Sequence, residues 1–293
     1  MDPYSQFNEQ VKNAAEAFKK IDKKEVIRVI SHLDADGISA CAIMIKLLNN
    51  DNRKYSISIL QQLNKNVLNQ LAAEPYNCFI FTDIGSGVIS DIKEILNGKN
   101  VFILDHHSVE TRDASELVDE REHASVLARI SLAHNSSNFD NIVFVNPHTC
   151  GIDGGREISG AGVVFKFACA VDKSMEELAH IAIVGAIGDL QEQNGFLRLN
   201  DEILKTAVEK NKVKVVKGLR IFGSQTKPLH KALEYCTDPY IPGVSGSESG
   251  AIQFLYQIGI EPKNGSGWKK IVHLDEEDMK KLVTGVIMKR FNE

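Results

Sequence analysis

The sequence predicts an α/β fold: a five-stranded, mostly parallel sheet flanked by helices, followed by a small C-terminal helical part. Three observations carry that expectation. Short β-branched and aromatic runs alternate with helix-sized segments over the first half of the chain, the pattern of buried parallel strands joined by crossovers. Three of these runs stop directly at clusters of acidic or imidazole side chains, and sites in open α/β sheets gather beyond the carboxyl ends of the strands. Downstream, the apolar segments look helical.

The elements follow in order. Residues 26–30 (VIRVI) form a β-branched run that stops at Ser31-His32, and residues 38–48 have helix-like apolar content. Residues 56–60, 78–81 and 101–104 are each the length of a buried strand, and a fifth run, 142–145, ends at Asn146-Pro147. Residues 160–171 and 175–187 read as helices, the second delivering Asp189 at its end. Residues 226–250, with Pro228, Pro239, Pro242, Gly243, Gly246 and Gly250, form the most turn-rich stretch. The expected domains are therefore 1–225, carrying the sheet and the site, and 226–293, a turn-rich connector with a C-terminal helical segment.

At 293 residues the chain can bury a substantial core. Its net charge of −5 does not advertise a nucleic-acid binder, yet bound divalent ions would cancel several negative charges locally, so a polyanionic substrate is not excluded. Five scattered cysteines, none in C-x-x-C spacing, argue against a disulfide framework or a thiolate zinc site. With no apolar stretch near ~20 residues and no signal-like block in the polar N-terminal twenty residues, a cytoplasmic protein without membrane association is expected.

The chemistry lies in four clusters: His32-Leu33-Asp34-Ala35-Asp36-Gly37, then Asp83, then Asp105-His106-His107, then Asp189. Carboxylates and neutral imidazoles suit a divalent ion such as Mn²⁺. Two such ions ~3.5–4 Å apart can activate a water and stabilise both the attacking and the leaving oxygen of a phosphate. Asp34 and Asp36 share a tight turn where both can face one concavity, although Asp36 could instead serve simply as the N-cap of the following helix. Asp105-His106-His107 is more specific: one imidazole can ligate while its neighbour meets substrate, and the acid can orient a ring. Asp83 is the natural bridging carboxylate. Ser159 and Gly160 begin an expected helix whose free N–H groups can receive a phosphate or hold the site loop. Arg156 and Arg220 are candidate phosphate contacts, and Trp268 a candidate base-stacking face.

The order D-x-D-G, D, D-H-H, G-x-x-(G/A)-D resembles the DHH phosphoesterase superfamily. The segment Ile158-Ser159-Gly160-Ala161-Gly162-Val163-Val164-Phe165-Lys166 is similar to the stretch that follows the D-H-H block in RecJ-type exonucleases. Lys217-Gly218-Leu219-Arg220 and the stretch from Pro228 to Gly250 look like the archaeal RecJ-like branch, which includes a GINS-associated nuclease. The resemblance implies a DHH domain using two ions, Mn²⁺ or Mg²⁺. Asp34 and Asp83 would hold one ion, and Asp36, Asp83, His106 and Asp189 the other. His107 would contact the scissile phosphate, and Asp105 would orient a histidine. His32 stands two residues before Asp34, whereas several relatives supply a histidine four residues before, where this chain has Ile30; His32 completes the first set or touches substrate. The glycine- and histidine-rich motif of the usual second, substrate-gripping domain is not found. The chain is therefore expected to be a catalytic-domain fragment or a member that lost that module.

The expected function is a metal-dependent exonuclease acting on single-stranded DNA or RNA, in replication or repair. One rival is a replisome scaffold that binds GINS and the replicative helicase. The other is a phosphodiesterase or pyrophosphatase of small substrates.

Overall fold

The computed structural model describes residues 2–109, 141–193, 195–215, 218–219, 221, 223, 226–265 and 267–291. By its internal contacts the chain divides into two compact units, Met1–Lys214 and Val215–Glu293.

In the first unit all five strand-length apolar runs become strands: β1 (Ile27–His32), β2 (Tyr55–Leu60), β3 (Cys78–Thr82), β4 (Asn100–Leu104) and β5 (Ile142–Val145). They form one sheet in the order β2-β1-β3-β4-β5, with every neighbouring pair parallel. Successive side chains point to opposite faces, and the apolar runs are continuous because both faces are covered. Ile27, Val29, Cys78, Ile80, Phe102, Leu104 and Val145 join one core, while Ile30, Phe79, Phe81, Val101, Ile103 and Phe144 join the other. Helices α1 (Pro3–Lys20), α2 (Ala35–Asn50), α5 (Gly160–Val171) and α6 (Ala179–Gly188) pack into the first core, and α3 (Lys65–Ala73) and α4 (Ile89–Ile95) into the second. From β2 the chain returns past β1 to begin β3, so the strand order reverses between β1 and β3. This is the topological switch point at which doubly wound sheets open a crevice.

The polar composition of residues 1–20 conceals α1. Asp2 caps it by accepting from Ser5 N–H, and its apolar positions, Phe7, Val11, Ala14, Ala15 and Phe18, recur at helical spacing and are buried. The buried guanidinium of Arg53 closes its far end by donating from Nη1 to the Ile21 carbonyl at 3.0 Å. A helix was likewise not anticipated at α7 (Arg198–Glu209). Residues 175–187, expected as one helix, are two: Asp172 accepts from Ser174 N–H and starts a 3₁₀ segment, Lys173–Leu178, before α6 begins.

The second unit has its own core, including Leu229, Leu233, Ile241, Phe254, Leu255, Leu282 and Val286. Among its described residues are the helices α8 (Leu229–Glu234), α9 (Glu248–Gln257) and α10 (Glu276–Phe291), a 3₁₀ turn at Ile271–His273, and a two-residue antiparallel pair, Lys263–Asn264 against Gly267–Trp268. The C-terminal part is thus helical apart from this small pair. Among the described residues, no helix is long and apolar enough to cross a membrane.

Candidate metal centre

β1, β3 and β4 end side by side, with Ser31 opposite Thr82 and Thr82 opposite Leu104, so the residues that follow each strand emerge on one rim. After β1, Asp34 is the N-cap of α2, its Oδ1 accepting from Gly37 N–H at 2.9 Å. The capping role considered for Asp36 therefore falls to Asp34. Asp36, in the first turn, is fully buried and accepts from the N–H groups of Gly160 (2.6 Å) and Ala161 (3.0 Å) at the start of α5. After β3, Asp83 takes a left-handed backbone (φ 57°) that turns its carboxylate back over the rim. After β4, Asp105 Oδ2 accepts from Ser86 N–H, and its Oδ1 accepts from His106 N–H and from Nδ1 of His107, both at 2.8 Å. Asp189 is the C-cap of α6.

His106 is the hub. Its Nδ1 lies 2.7 Å from the Gly154 carbonyl, which, with that nitrogen protonated, leaves Nε2 as the free electron pair. Nε2 lies 3.2 Å from Asp189 Oδ2, 3.3 Å from Asp83 Oδ1 and 3.7 Å from Asp36 Oδ2. His32 Nδ1 stands 2.9 Å from Asp34 Oδ2 and 3.7 Å from Asp83 Oδ2. Three overlapping donor sets result, each with its atoms within 4.8 Å of one another: His32, Asp34, Asp83; Asp83, His106, His107; and Asp36, His106, Asp189.

The residues fit a cation. Both Asp83 oxygens and His106 Nε2 are buried and have no hydrogen-bond partner, a costly condition for polar atoms unless something else satisfies them. Burial, reinforced by Asp36, pushes the Asp83 carboxyl well above the carboxylate range, and the same two causes push Asp189 up to about 6. Burial alone would lower His106, but the surrounding Asp83 and Asp36 carboxylates outweigh it and raise the ring to about 10. The cluster thus holds protons where a divalent ion would relieve the same crowding. Asp105 behaves oppositely. Burial would raise it, yet the hydrogen bonds from His107 and Ser86 hold it far below the usual range, and its own hydrogen bond raises His107.

Close backbone approach makes the crowding possible. A Cβ on Gly160 would collide with the Asp83 carboxylate, one on Gly185 with the Asp36 carboxylate, and one on Gly37 with the His32 backbone.

The structure brings together Asp34, Asp36, Asp83, Asp105, His106, His107, Asp189 and His32. Ser159 and Gly160 are adjacent but play another part. Ser159 Oγ caps α5 by accepting from Gly162 N–H, and Gly160 N–H is already held by Asp36, so of the two readings this helix start holds the site and is not a vacant phosphate receptor. Arg156 is exposed, in the turn that follows Gly154. Arg220 lies outside the described residues. Trp268 packs its ring against His230 at 4.0 Å, with Lys263 Nζ 4.7 Å from its centre, and stays 41% exposed; it braces its own unit.

Sequence reasoning missed Asn146, which donates to Ser86 Oγ (2.8 Å) and to the His107 carbonyl (2.9 Å). Its signal was an Asn-Pro at a strand end. Gly154, Gln191 and Asn200 were also missed.

Fold and site together define a doubly wound α/β protein with a carboxylate–imidazole centre at its switch point. The chain belongs to the DHH family and is RecJ-like: the DHH family N-terminal domain matches residues 26–187 and the DHH-CID domain matches residues 221–293. It is 35% identical over 289 residues to an uncharacterized protein of Methanocaldococcus jannaschii, covering 96% of this chain and 59% of that one. It is 24% identical over 189 residues to the single-stranded-DNA-specific exonuclease RecJ of Bacillus subtilis, covering 61% of this chain and 21% of that one. Among solved structures, it shares the fold of an exonuclease RecJ bound to manganese (19% identity, TM-score 0.50, 96% of this chain and 64% of that one). It also shares the fold of CDC45 from Entamoeba histolytica (13% identity, TM-score 0.56, 100% and 57%). The chain therefore spans about three-fifths or less of the curated relatives it matches.

Proposed function

We propose that this chain is a metal-dependent phosphodiesterase that acts as an exonuclease on single-stranded nucleic acid, using two Mn²⁺ or Mg²⁺ ions. The observation that carries it is Asp83: a buried carboxylate with neither oxygen hydrogen-bonded, standing where the donor sets meet. Membership of the DHH family and the name of the Bacillus relative support the reaction class and the substrate.

Bound ions would supply Lewis acidity and an activated water. Asp34 and Asp83, with His32 beside them, would hold one ion, and Asp36, Asp83, His106 and Asp189 the other. Asp36 is pre-aimed by the α5 N–H groups. His107 is exposed, and its Nδ1 is fixed on Asp105. Nε2 is then the nitrogen left to donate to a scissile phosphate oxygen, and the hydrogen bond to Asp105, which raises the proton affinity of the ring, favours the doubly protonated form such a donor requires. Asp105 orients that ring, and Asn146 anchors the His107 backbone. Arg156, exposed in the turn that follows Gly154, would contact a phosphate of the strand. A recessed pair of ions admits an unpaired end more readily than a duplex, which favours single strands.

The test is hydrolysis of end-labelled single-stranded DNA and RNA with Mn²⁺, comparing wild type with Asp83→Ala. Metal-dependent products absent from the variant are expected, and the label position gives the polarity. Hydrolysis that survives Asp83→Ala would reject the reading.

A second reading, a replisome scaffold that binds GINS and the replicative helicase, is favoured by one observation: the CDC45 fold matches along the entire chain. The presence of Asp34, Asp36, Asp83, His106 and Asp189 favours the enzyme. Co-purification with GINS without metal-dependent turnover would reverse that preference.

A further inference from the structure

Residues two apart in sequence reach the two ends of the His106 ring, Asp189 by facing it and Gln191 through the Gly154 carbonyl. Asp189 Oδ2 faces its Nε2 at 3.2 Å. At the other end the Gly154 carbonyl that receives Nδ1–H also receives Gln191 Nε2–H at 3.0 Å. Gln191 is in turn fixed by Asn200, whose Nδ2 donates to Gln191 Oε1 at 2.7 Å. His106, Gly154, Gln191 and Asn200 are buried, Gln191 at 6% and Asn200 at 1% exposure, so a donor turned the wrong way has no water to correct it. Asn200 also donates its backbone N–H to the Glu157 carbonyl at 2.9 Å, tying the start of α7 to the 153–157 turn that carries Gly154. A Cβ at Gly154 would collide with the His106 carbonyl, so that carbonyl can approach the ring only from a glycine.

We infer that Asn200 and Gln191 form a positioning relay that holds the Gly154 carbonyl on His106 Nδ1, so that the ring is fixed with Nε2 aimed at the ion-binding cleft. The relay is directional. The Asn200 N–H fixes the Gln191 amide with its oxygen toward Asn200 and its nitrogen toward Gly154. A flipped amide would set two oxygens against each other at Gly154 and loosen the carbonyl that selects the His106 tautomer. The inference rests on the proposed metal centre for its purpose. Its chemical content, a coupling from Asn200 to ion affinity, is separate from whether nucleic acid is the substrate.

The test is Mn²⁺ affinity measured by the electron paramagnetic resonance of free Mn²⁺, on the full chain, with thermal unfolding in EDTA as the fold control. Gln191→Met keeps the length of the side chain and removes both polar ends. Asn200→Asp keeps the shape and removes the donor. Each is expected to weaken Mn²⁺ binding by ~10-fold, as loss of outer hydrogen-bond partners of a ligating histidine does, in protein that still melts cooperatively in EDTA, at a lower temperature because a buried polar partner is lost. If Asn200→Asp fails to fold, Gln191→Met alone decides. Mn²⁺ affinity within twofold of wild type in folded Gln191→Met overturns the relay, as does a lowered EDTA melting temperature with unchanged affinity, which marks a structural role only. A wild type that binds Mn²⁺ but hydrolyses no nucleic acid would count against the proposed substrate and leave the relay standing.

Discussion

Gly160 donates its backbone N–H to Asp36 Oδ2 at 2.6 Å across 124 residues of sequence, and its missing side chain leaves the space that the Asp83 carboxylate occupies. One glycine thus sets two of the candidate ligands. The N-terminus of α5 directs its first free N–H groups to Asp36, a partner within the protein.

Gly160→Ala is expected to disrupt both roles. Its Cβ would press on Asp83, costing about 1–3 kcal/mol as overpacking does and lowering Mn²⁺ affinity by more than ~10-fold. Gly185→Ala, which would press on Asp36, should behave alike. Gly87→Ala meets nothing within 4 Å and is the control. Melting temperature and Mn²⁺ titration of the three variants check this, and equal behaviour of all three would contradict it.

Without metal, Asp83 is a liability. Asp83→Ala removes two unpartnered buried oxygens, each costing about 1 kcal/mol or more, so the variant in EDTA should melt a few degrees above wild type, at roughly 2–4 °C per kcal/mol. With saturating Mn²⁺ the order should reverse. A variant less stable than wild type in EDTA would show that Asp83 earns its place structurally.

The pH dependence follows from the crowding. Asp83, Asp189 and His106 all have proton affinities raised above those of the unfolded chain. The folded metal-free cluster therefore binds more protons than the unfolded chain does, and its stability falls as pH rises. Asp189 contributes between its unfolded value and about 6, and His106 from its unfolded value up to about 10. Because ion binding must displace those protons, Mn²⁺ affinity should climb over the same range. Melting curves in EDTA and Mn²⁺ titrations from pH 6 to pH 9, within the range these shifts define, should slope in opposite directions.

Asp105→Asn should keep the fold and misdirect a ring. The amide cannot accept from both His107 Nδ1–H and the backbone N–H groups as the carboxylate does, and Ser86 N–H loses a charged partner. Turnover is expected to fall about 10- to 100-fold, with Mn²⁺ affinity changed less because His106 is held from Gly154. Equal losses in both would place Asp105 among the ion-holding groups.

Much of the fold was legible because the strands are buried on both faces and read as unbroken apolar runs ending at chemical clusters. Asp34, Asp83 and His106 were legible as a set because parallel strands deliver their ends to one rim. The helix α1 was hidden by its mean polarity, although Phe7, Val11 and Phe18 carry the helical period. The exchange of roles between Asp34 and Asp36 depends on which residue starts α2, and an i, i+2 pair does not reveal that. Gln191 and Asn200 had no signature at all. Buried amides act through orientation, which only the packed structure displays.

If Asp83 serves two ions, as proposed, the number of Mn²⁺ ions bound per chain at saturation depends on it. Two ions in wild type, falling to one or none in Asp83→Ala, is the predicted result. No ion in folded wild type, or two retained after Asp83→Ala, would contradict it.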